Sequence, residues 1–269
     1  MDIKQLFNRD PSEKPLDVIK DDGGFTSIFR TVAVVGDSLS SGELEAIEPG
    51  CPRTYHDYFD ISWGQYLARM AGITVYNFTR GGMTASEYCN SFADAMGYWD
   101  KAKAAQAYII ALGCNDLDGL NQEIGSVDDI CDEDWHFNKP TFAGFFAKII
   151  QHYKEIQHDA VFFLVTMPDE NTAWYNSNPD IARRHKGQHD LMHALAEKFS
   201  NTYVIDLHEY GPVYDEEFHK LFYTGGHLNS AGYYLTAKMI GSYIDYIVRH
   251  NMEKFNQAGF IGTPYRYCE

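Results

Sequence analysis

A chain of 269 residues is long enough for one sizeable α/β domain with its own core, and a hydrophobic share of 45% excludes wholesale disorder. Asp and Glu total 38 against 22 for Lys and Arg, and the resulting formal charge of -16 argues against nucleic acid or an anionic membrane surface as a partner. The five cysteines (Cys51, Cys89, Cys114, Cys131 and Cys268) are odd in number and form no C-x-x-C pair, so neither a disulfide framework nor a zinc site is indicated. No stretch approaches the roughly 18 apolar residues that a membrane span needs. The polar start, MDIKQLFNRDPSEKP, has no apolar run of the signal-peptide kind, which makes a reducing cytoplasm the expected location. Aromatics are abundant, with 19 Tyr and 17 Phe; most are assigned to the core, and the rest suit a cleft for apolar or sugar-like groups.

Residues 1–30 are polar, carry Pro11, Pro15 and a Gly23-Gly24 pair, and read as an extension before a single domain over 31–269. Five short apolar runs follow: Thr31–Val35, Thr74–Phe78, Ala107–Leu112, Ala160–Thr166 and Thr202–Asp206. Continuous apolar runs of that length suit strands buried on both faces. Between them lie helical patterns at Ile61–Met70, Thr141–Gln157, Ile181–Phe199 and Ser230–Arg249. Gly72 closes the first, and Ser230 is the expected N-cap of the last. Strands alternating with helices predict a five-stranded parallel sheet covered on both faces. Ser40–Asp60 and Leu117–Pro140 read as loops. Both are long beside the ~2–6 residues usual in such folds, and both follow strand ends of the kind that bind ligands.

The chemistry-bearing residues sit at those strand ends. After the first strand comes Gly36-Asp37-Ser38-Leu39-Ser40, which puts a serine hydroxyl at the ligand-binding edge. It is not the G-x-S-x-G elbow, because Ser40 stands where that motif has its second glycine. The absence of G-x-G-x-x-G and of G-x-x-x-x-G-K-[ST] argues against dinucleotide and P-loop sites, and so against a nucleotide-binding flavodoxin-like protein. After the second strand, Gly81-Gly82 allows a backbone N–H to approach a ligand closely. After the third, Asn115 offers a side-chain donor to a developing oxyanion, a contribution worth about 10²–10³ in rate elsewhere. Taken singly, each of these segments also reads as a plain turn. His227, in Thr224-Gly225-Gly226-His227-Leu228-Asn229-Ser230, stands on a glycine-rich segment leading into the last helix, where it can serve a serine as base. His208, His219 and the helix histidines His152, His185, His189 and His193 read as solvated or structural.

In order and spacing, these four segments resemble the SGNH (GDSL-like) hydrolase family, over roughly Thr31 to Arg249. The resemblance implies a three-layer, flavodoxin-like α/β/α sandwich. It also implies Ser38 as nucleophile, His227 as base, and an oxyanion hole of the Ser38 amide, the Gly82 amide and the Asn115 side chain. Asp37 is expected to tie the turn rather than react. The implied reaction is hydrolysis of a small-molecule or carbohydrate ester, with a short acyl group such as acetyl, and it needs no metal and no organic cofactor. Acyl transfer through the same acyl-enzyme is the alternative reaction that the resemblance leaves open beside hydrolysis, and nothing in the sequence fixes an oligomeric state.

The pattern breaks at one place. The family usually has an aspartate three residues before its histidine, and here that residue is Thr224. A threonine hydroxyl can orient an imidazole but cannot offset its positive charge, and losing the acid of a triad costs about 10⁴ in rate elsewhere. Three resolutions stand open. The site can be a Ser–His dyad held by a backbone carbonyl. It can take a carboxylate from elsewhere, with Asp215, Glu216 and Glu217 nearest upstream. Or the chain can be a non-catalytic carbohydrate- or ligand-binding protein on the same fold.

Overall fold

Five strands rich in β-branched and aromatic residues form the centre of the molecule: β1 (Thr31–Gly36), β2 (Thr74–Thr79), β3 (Ala107–Ala111), β4 (Val161–Val165) and β5 (Thr202–Ile205). The computed structural model describes residues 3–7 and 10–265, which leaves Cys268 outside the described residues. All pairings are parallel in the order β2-β1-β3-β4-β5, with Val35 opposite Phe78 and Val34 opposite Ile109. Parallel strands need crossover helices, and those helices bury both faces of the sheet; every residue of β4 is accordingly buried. The order is the flavodoxin-like one, and the fold is a three-layer α/β/α sandwich.

Alternation along each strand divides the core in two. Val32, Val34, Ile109 and Phe163 face α1 (Trp63–Ala71) and α4 (Ser230–His250), which contribute Trp63, Leu67, Ile240 and Ile244. Ala33, Val35, Tyr108, Ile110 and Leu164 face α2 (Phe142–Ile156) and α3 (Pro179–Lys198), which contribute Phe142, Phe146, Ile150 and Leu195. Burying one such aliphatic or aromatic side chain contributes roughly 1.5–3 kcal/mol, so the two half-cores dominate the stability of the domain. The chain folds locally as its caps dictate. The Ser62 hydroxyl accepts the Gln65 amide to start α1, and Gly72, at φ 67°, ends it. One cap differs from expectation: α4 begins at Ser230, but its N-cap is Asn229, whose side chain accepts the Gly232 amide at 3.0 Å.

The segment expected as a loop over Ser40–Asp60 contains structure. A one-turn helix, Ser38–Ser41, leads into an antiparallel hairpin of Glu43–Ala46 and Thr54–Asp57, pairing Glu45 with Tyr55. Leu117–Pro140 is held by local bonds. Asp129 takes the Lys139 ammonium at 2.8 Å and the Ser126 amide at 3.0 Å. The N-terminal segment lies along α4. The Lys20 amide donates to Ser242 Oγ at 2.8 Å and the Phe25 amide to Asp245 Oδ1 at 3.0 Å, while Arg249 bridges Asp245 and Glu13.

Candidate active site

The carboxyl ends of β1, β2 and β3 bring three of the four motif segments to one edge, and the turn before α4 brings the fourth. Asp37 follows β1 and caps the Ser38–Ser41 turn, its carboxyl oxygen accepting the Leu39 amide at 3.0 Å. Ser38 is therefore the first residue of a helix, where backbone N–H groups lack intrahelical acceptors. Tyr233, buried on α4, puts its hydroxyl 3.1 Å from the Ser38 carbonyl and 2.8 Å from the Glu43 carbonyl, fixing the serine turn to the hairpin. Burial, reinforced by the nearby Asp116 carboxylate, pushes the Asp37 carboxyl up to about 7, against the pull of the Leu39 amide and His227.

Gly82 has φ 71°, a conformation that favours glycine, and a Cβ built there would meet nothing within 4 Å. Gly82 is exposed and lines a pocket together with Asn115. Asn115 lies in the turn Cys114–Gly119 and donates one side-chain N–H to the Met83 carbonyl at 3.1 Å. That bond orients the amide and leaves its second N–H available. Asp116, fully buried, accepts the Ala85 amide at 2.9 Å and so fastens the Gly82 segment to the Asn115 turn. Burial pushes its carboxyl up to about 6, over the opposing pull of the Ala85 and Ser86 amides.

His227 follows the turn at Gly225-Gly226 that joins two short antiparallel strands, Tyr223–Thr224 and His227–Leu228. Its Nδ1 lies 2.7 Å from Glu45 Oε1, which also accepts the Gly226 amide at 2.7 Å. The Glu45 side chain is 1% exposed, and Arg53 reaches its other oxygen at 3.0 Å. Burial tends to raise the Glu45 carboxyl, but the His227 ring, the Gly226 amide and Arg53 together hold it below the usual carboxylate range. A buried, ionised carboxylate on Nδ1 is what an imidazole needs to carry positive charge transiently. Thr224 pairs with His227 across the turn, and its hydroxyl makes no hydrogen bond to the ring. Of the carboxylates nearer in sequence, Asp215 caps the helix Glu216–Phe222 and Glu216 accepts the Ala173 amide.

The carboxylate at His227 Nδ1, which sequence order does not suggest, comes from the hairpin. Side chains alternate along a strand, so Glu43 and Glu45 share one face and Leu44 packs on the other, against the α1–α4 half-core. Cross-strand from Glu45, Tyr55 stands edge-on to His227 with ring centroids 5.8 Å apart. Glu43 Oε1 lies 3.1 Å from His227 Nε2, and its other oxygen rests against Gly81. Burial, then repulsion from Asp57 and Glu45, raises the Glu43 carboxyl, with His227 pulling the other way. The ring thus has a carboxyl group at each nitrogen, Glu45 at Nδ1 and Glu43 at Nε2. No hydrogen bond joins Ser38 to His227 among the described residues, so the ring faces Glu43 in this state.

Beneath the serine turn is a cavity of about 100 Å³, lined by Asp37 and Leu39 on either side of Ser38 and by Leu112, Met167, Tyr223 and Leu228. Among the aromatics of the hairpin and of the segment 171–176, Tyr55 borders His227, Tyr58 and Trp174 are exposed, and Tyr175 is buried against His185.

Residues 34–235 match the model of the GDSL-like Lipase/Acylhydrolase family, most of the chain. The chain belongs to this family. Among curated proteins, no relative matches the sequence. Solved structures share the GDSL-like fold at low identity. A family two carbohydrate esterase from Clostridium thermocellum, in complex with cellohexaose, is 14% identical with a TM-score of 0.55, over 90% of this chain and 66% of that one. A family 3 carbohydrate esterase from the same organism is 15% identical at a TM-score of 0.52, over 82% and 97%. A possible lipase from Chitinophaga pinensis DSM 2588 is 15% identical at 0.55, over 82% and 98%. Similarity at this level establishes the fold and leaves the substrate to the chemistry of the site. Among the described residues no helix is long and apolar enough to cross a membrane.

Proposed function

We propose that the chain is a serine esterase in which Ser38, His227 and Glu45 act as a triad whose acid comes from the hairpin rather than from the position before the histidine. The observation that carries this reading is the buried Glu45 carboxylate 2.7 Å from His227 Nδ1. In the first step Ser38 Oγ forms a bond to the ester carbonyl carbon while its proton passes to His227 Nε2, which has turned away from Glu43. The carbonyl oxygen becomes an oxyanion, stabilised by the Ser38 and Gly82 amides and the free N–H of Asn115. Glu45 offsets the imidazolium charge. Collapse breaks the ester C–O bond, and His227 returns the proton to the leaving alcohol. A water molecule, deprotonated by His227, then attacks the acyl-Ser38 carbonyl and releases the acid.

A short acyl group is part of this reading; the cavity lined by Asp37, Leu39 and Ser40 of the serine turn is small and largely apolar. A carbohydrate alcohol suits the exposed rings of Tyr55, Tyr58 and Trp174, and two of the similar structures are carbohydrate esterases. The competing reading, a ligand-binding protein without turnover, draws on one observation, the contact of His227 Nε2 with Glu43. Steady-state hydrolysis of 4-nitrophenyl esters of increasing acyl length, alongside an acetylated sugar, tests both. The esterase reading predicts turnover that is fastest for acetyl and lost in Ser38→Ala. Absence of turnover, or turnover unchanged in Ser38→Ala, contradicts it.

A further inference from the structure

On α3, His185, His189 and His193 recur every four residues and so lie along one helix face. His189 and His193 converge on a single atom beyond β5. His189 Nε2 is 3.0 Å and His193 Nε2 is 2.8 Å from Asp206 Oδ2. The other Asp206 oxygen is already committed, accepting the Thr166 hydroxyl at 3.2 Å and the Glu209 amide at 2.9 Å. Two imidazoles aimed at one carboxylate oxygen, with their ligand atoms all within 4.8 Å of one another, make a two-histidine, one-carboxylate donor set.

The surroundings favour a cation between these atoms. The far nitrogen of His189, Nδ1, lies 2.9 Å from the Asp190 carboxylate. A carboxylate on the outer nitrogen is the usual support of a metal-bound histidine. His208, whose ring centroid is 5.0 Å from that of His189, has a buried Nδ1 with no hydrogen-bond partner. A tetrahedral ion with bonds of about 2.0–2.2 Å spaces its donors roughly 3.4 Å apart, so each imidazole would move a few tenths of an ångström from Asp206, and the two rings, whose ligand atoms lie within 4.8 Å, would close towards each other. The His193 side chain is 46% exposed, which gives an ion a way in and leaves a coordination position facing water.

We propose that His189, His193 and Asp206 form a binding site for a divalent first-row transition ion, which ties the middle of α3 to the end of β5. Imidazole nitrogens with one carboxylate suit zinc, iron or nickel better than calcium or magnesium, which prefer oxygen donors. Neither the ester chemistry nor the Ser38 site is needed for this inference. The ion would act as a staple: Asp206 holds Thr166, which lines the same cavity as Asp37 and Leu39.

The full chain, freed of metal with a chelator, is titrated with zinc chloride by calorimetry. One equivalent is expected to bind, and the melting temperature is expected to rise with zinc concentration. His193→Ala, at a half-exposed position that tolerates truncation, and His189→Ala should each abolish the one-to-one binding and the thermal shift while leaving the far-ultraviolet circular dichroism unchanged. Cobalt(II) added to the metal-free native chain should give the strong visible absorption of a four-coordinate ion. Absence of stoichiometric zinc binding overturns the proposal, and so does one-to-one binding that survives in either variant.

Discussion

At the residue scale the chemistry depends on which carboxylates around His227 are charged. Glu45 is paired with the ring, the Gly226 amide and Arg53, and is held below the usual carboxylate range; Glu43, beside Nε2, is raised by burial. Glu45→Gln keeps the shape and removes the charge. It is expected to lower kcat by up to about 10⁴, as loss of the acid does in other triads, whereas Asp215→Asn should leave kcat within a few-fold. Steady-state kinetics on one ester separates the two, and equal effects would contradict the assignment of Glu45. Asp37 gives a pH signature in stability. Burial keeps its proton on in the folded state up to about 7, while an ordinary aspartate loses it near 3.8. The folded state therefore binds more protons in that window, and stability attributable to this group falls as pH rises from about 4 to about 7. Asp37→Asn still accepts the Leu39 amide and has no proton to lose. Urea unfolding should show it gaining stability relative to the native chain as pH rises through that window, by at most a few kcal/mol, each tenfold displacement being worth about 1.4 kcal/mol. A pH-independent difference would contradict this.

At the element scale the site is an agreement between a hairpin and a turn 182 residues apart. Gly225 is where they touch. Its φ is 67°, and a Cβ added there would fall 2.0 Å from Glu45 Oε2. Gly225→Ala should cost about 1–2 kcal/mol of stability from the left-handed backbone. It should also push Glu45 off His227, reducing kcat in the direction of Glu45→Gln. Combining the two substitutions should then add little beyond Glu45→Gln alone, and full additivity in a double-mutant cycle would contradict the contact. This contact also explains how much the sequence discloses. The apolar runs reveal β1 to β5 because buried parallel strands leave no polar face, and the motif residues lie at their ends. The hairpin escapes notice because Thr54–Asp57 is exposed throughout and its alternation involves only Glu43, Leu44, Glu45 and Ala46. No spacing rule relates Glu45 to His227; only the folded chain does. The convergence of His189 and His193 on Asp206 is hidden in the same way, since it joins a helix face to a strand end.

At the scale of the whole molecule, one sheet presents Ser38, Gly82 and Asn115 at a single edge, and α4 ties that edge to the N-terminal segment. Arg249 is central to that tie, bonded to the buried Asp245 at 2.7 Å and to Glu13 at 2.6 Å. Arg249→Met leaves Asp245 a buried charge without its guanidinium and should cost about 3–5 kcal/mol in urea unfolding, with faster proteolysis of residues 10–28. A loss below about 1 kcal/mol would mean the cluster contributes little. The claim that joins these scales is that Ser38 is an activated nucleophile despite the threonine at position 224. Intact-mass analysis after reaction with a fluorophosphonate measures this directly. The native chain should gain one phosphonyl adduct, absent in Ser38→Ala and formed far more slowly in His227→Ala and Glu45→Gln. A native chain that takes no adduct, or one that Ser38→Ala still takes, would contradict it.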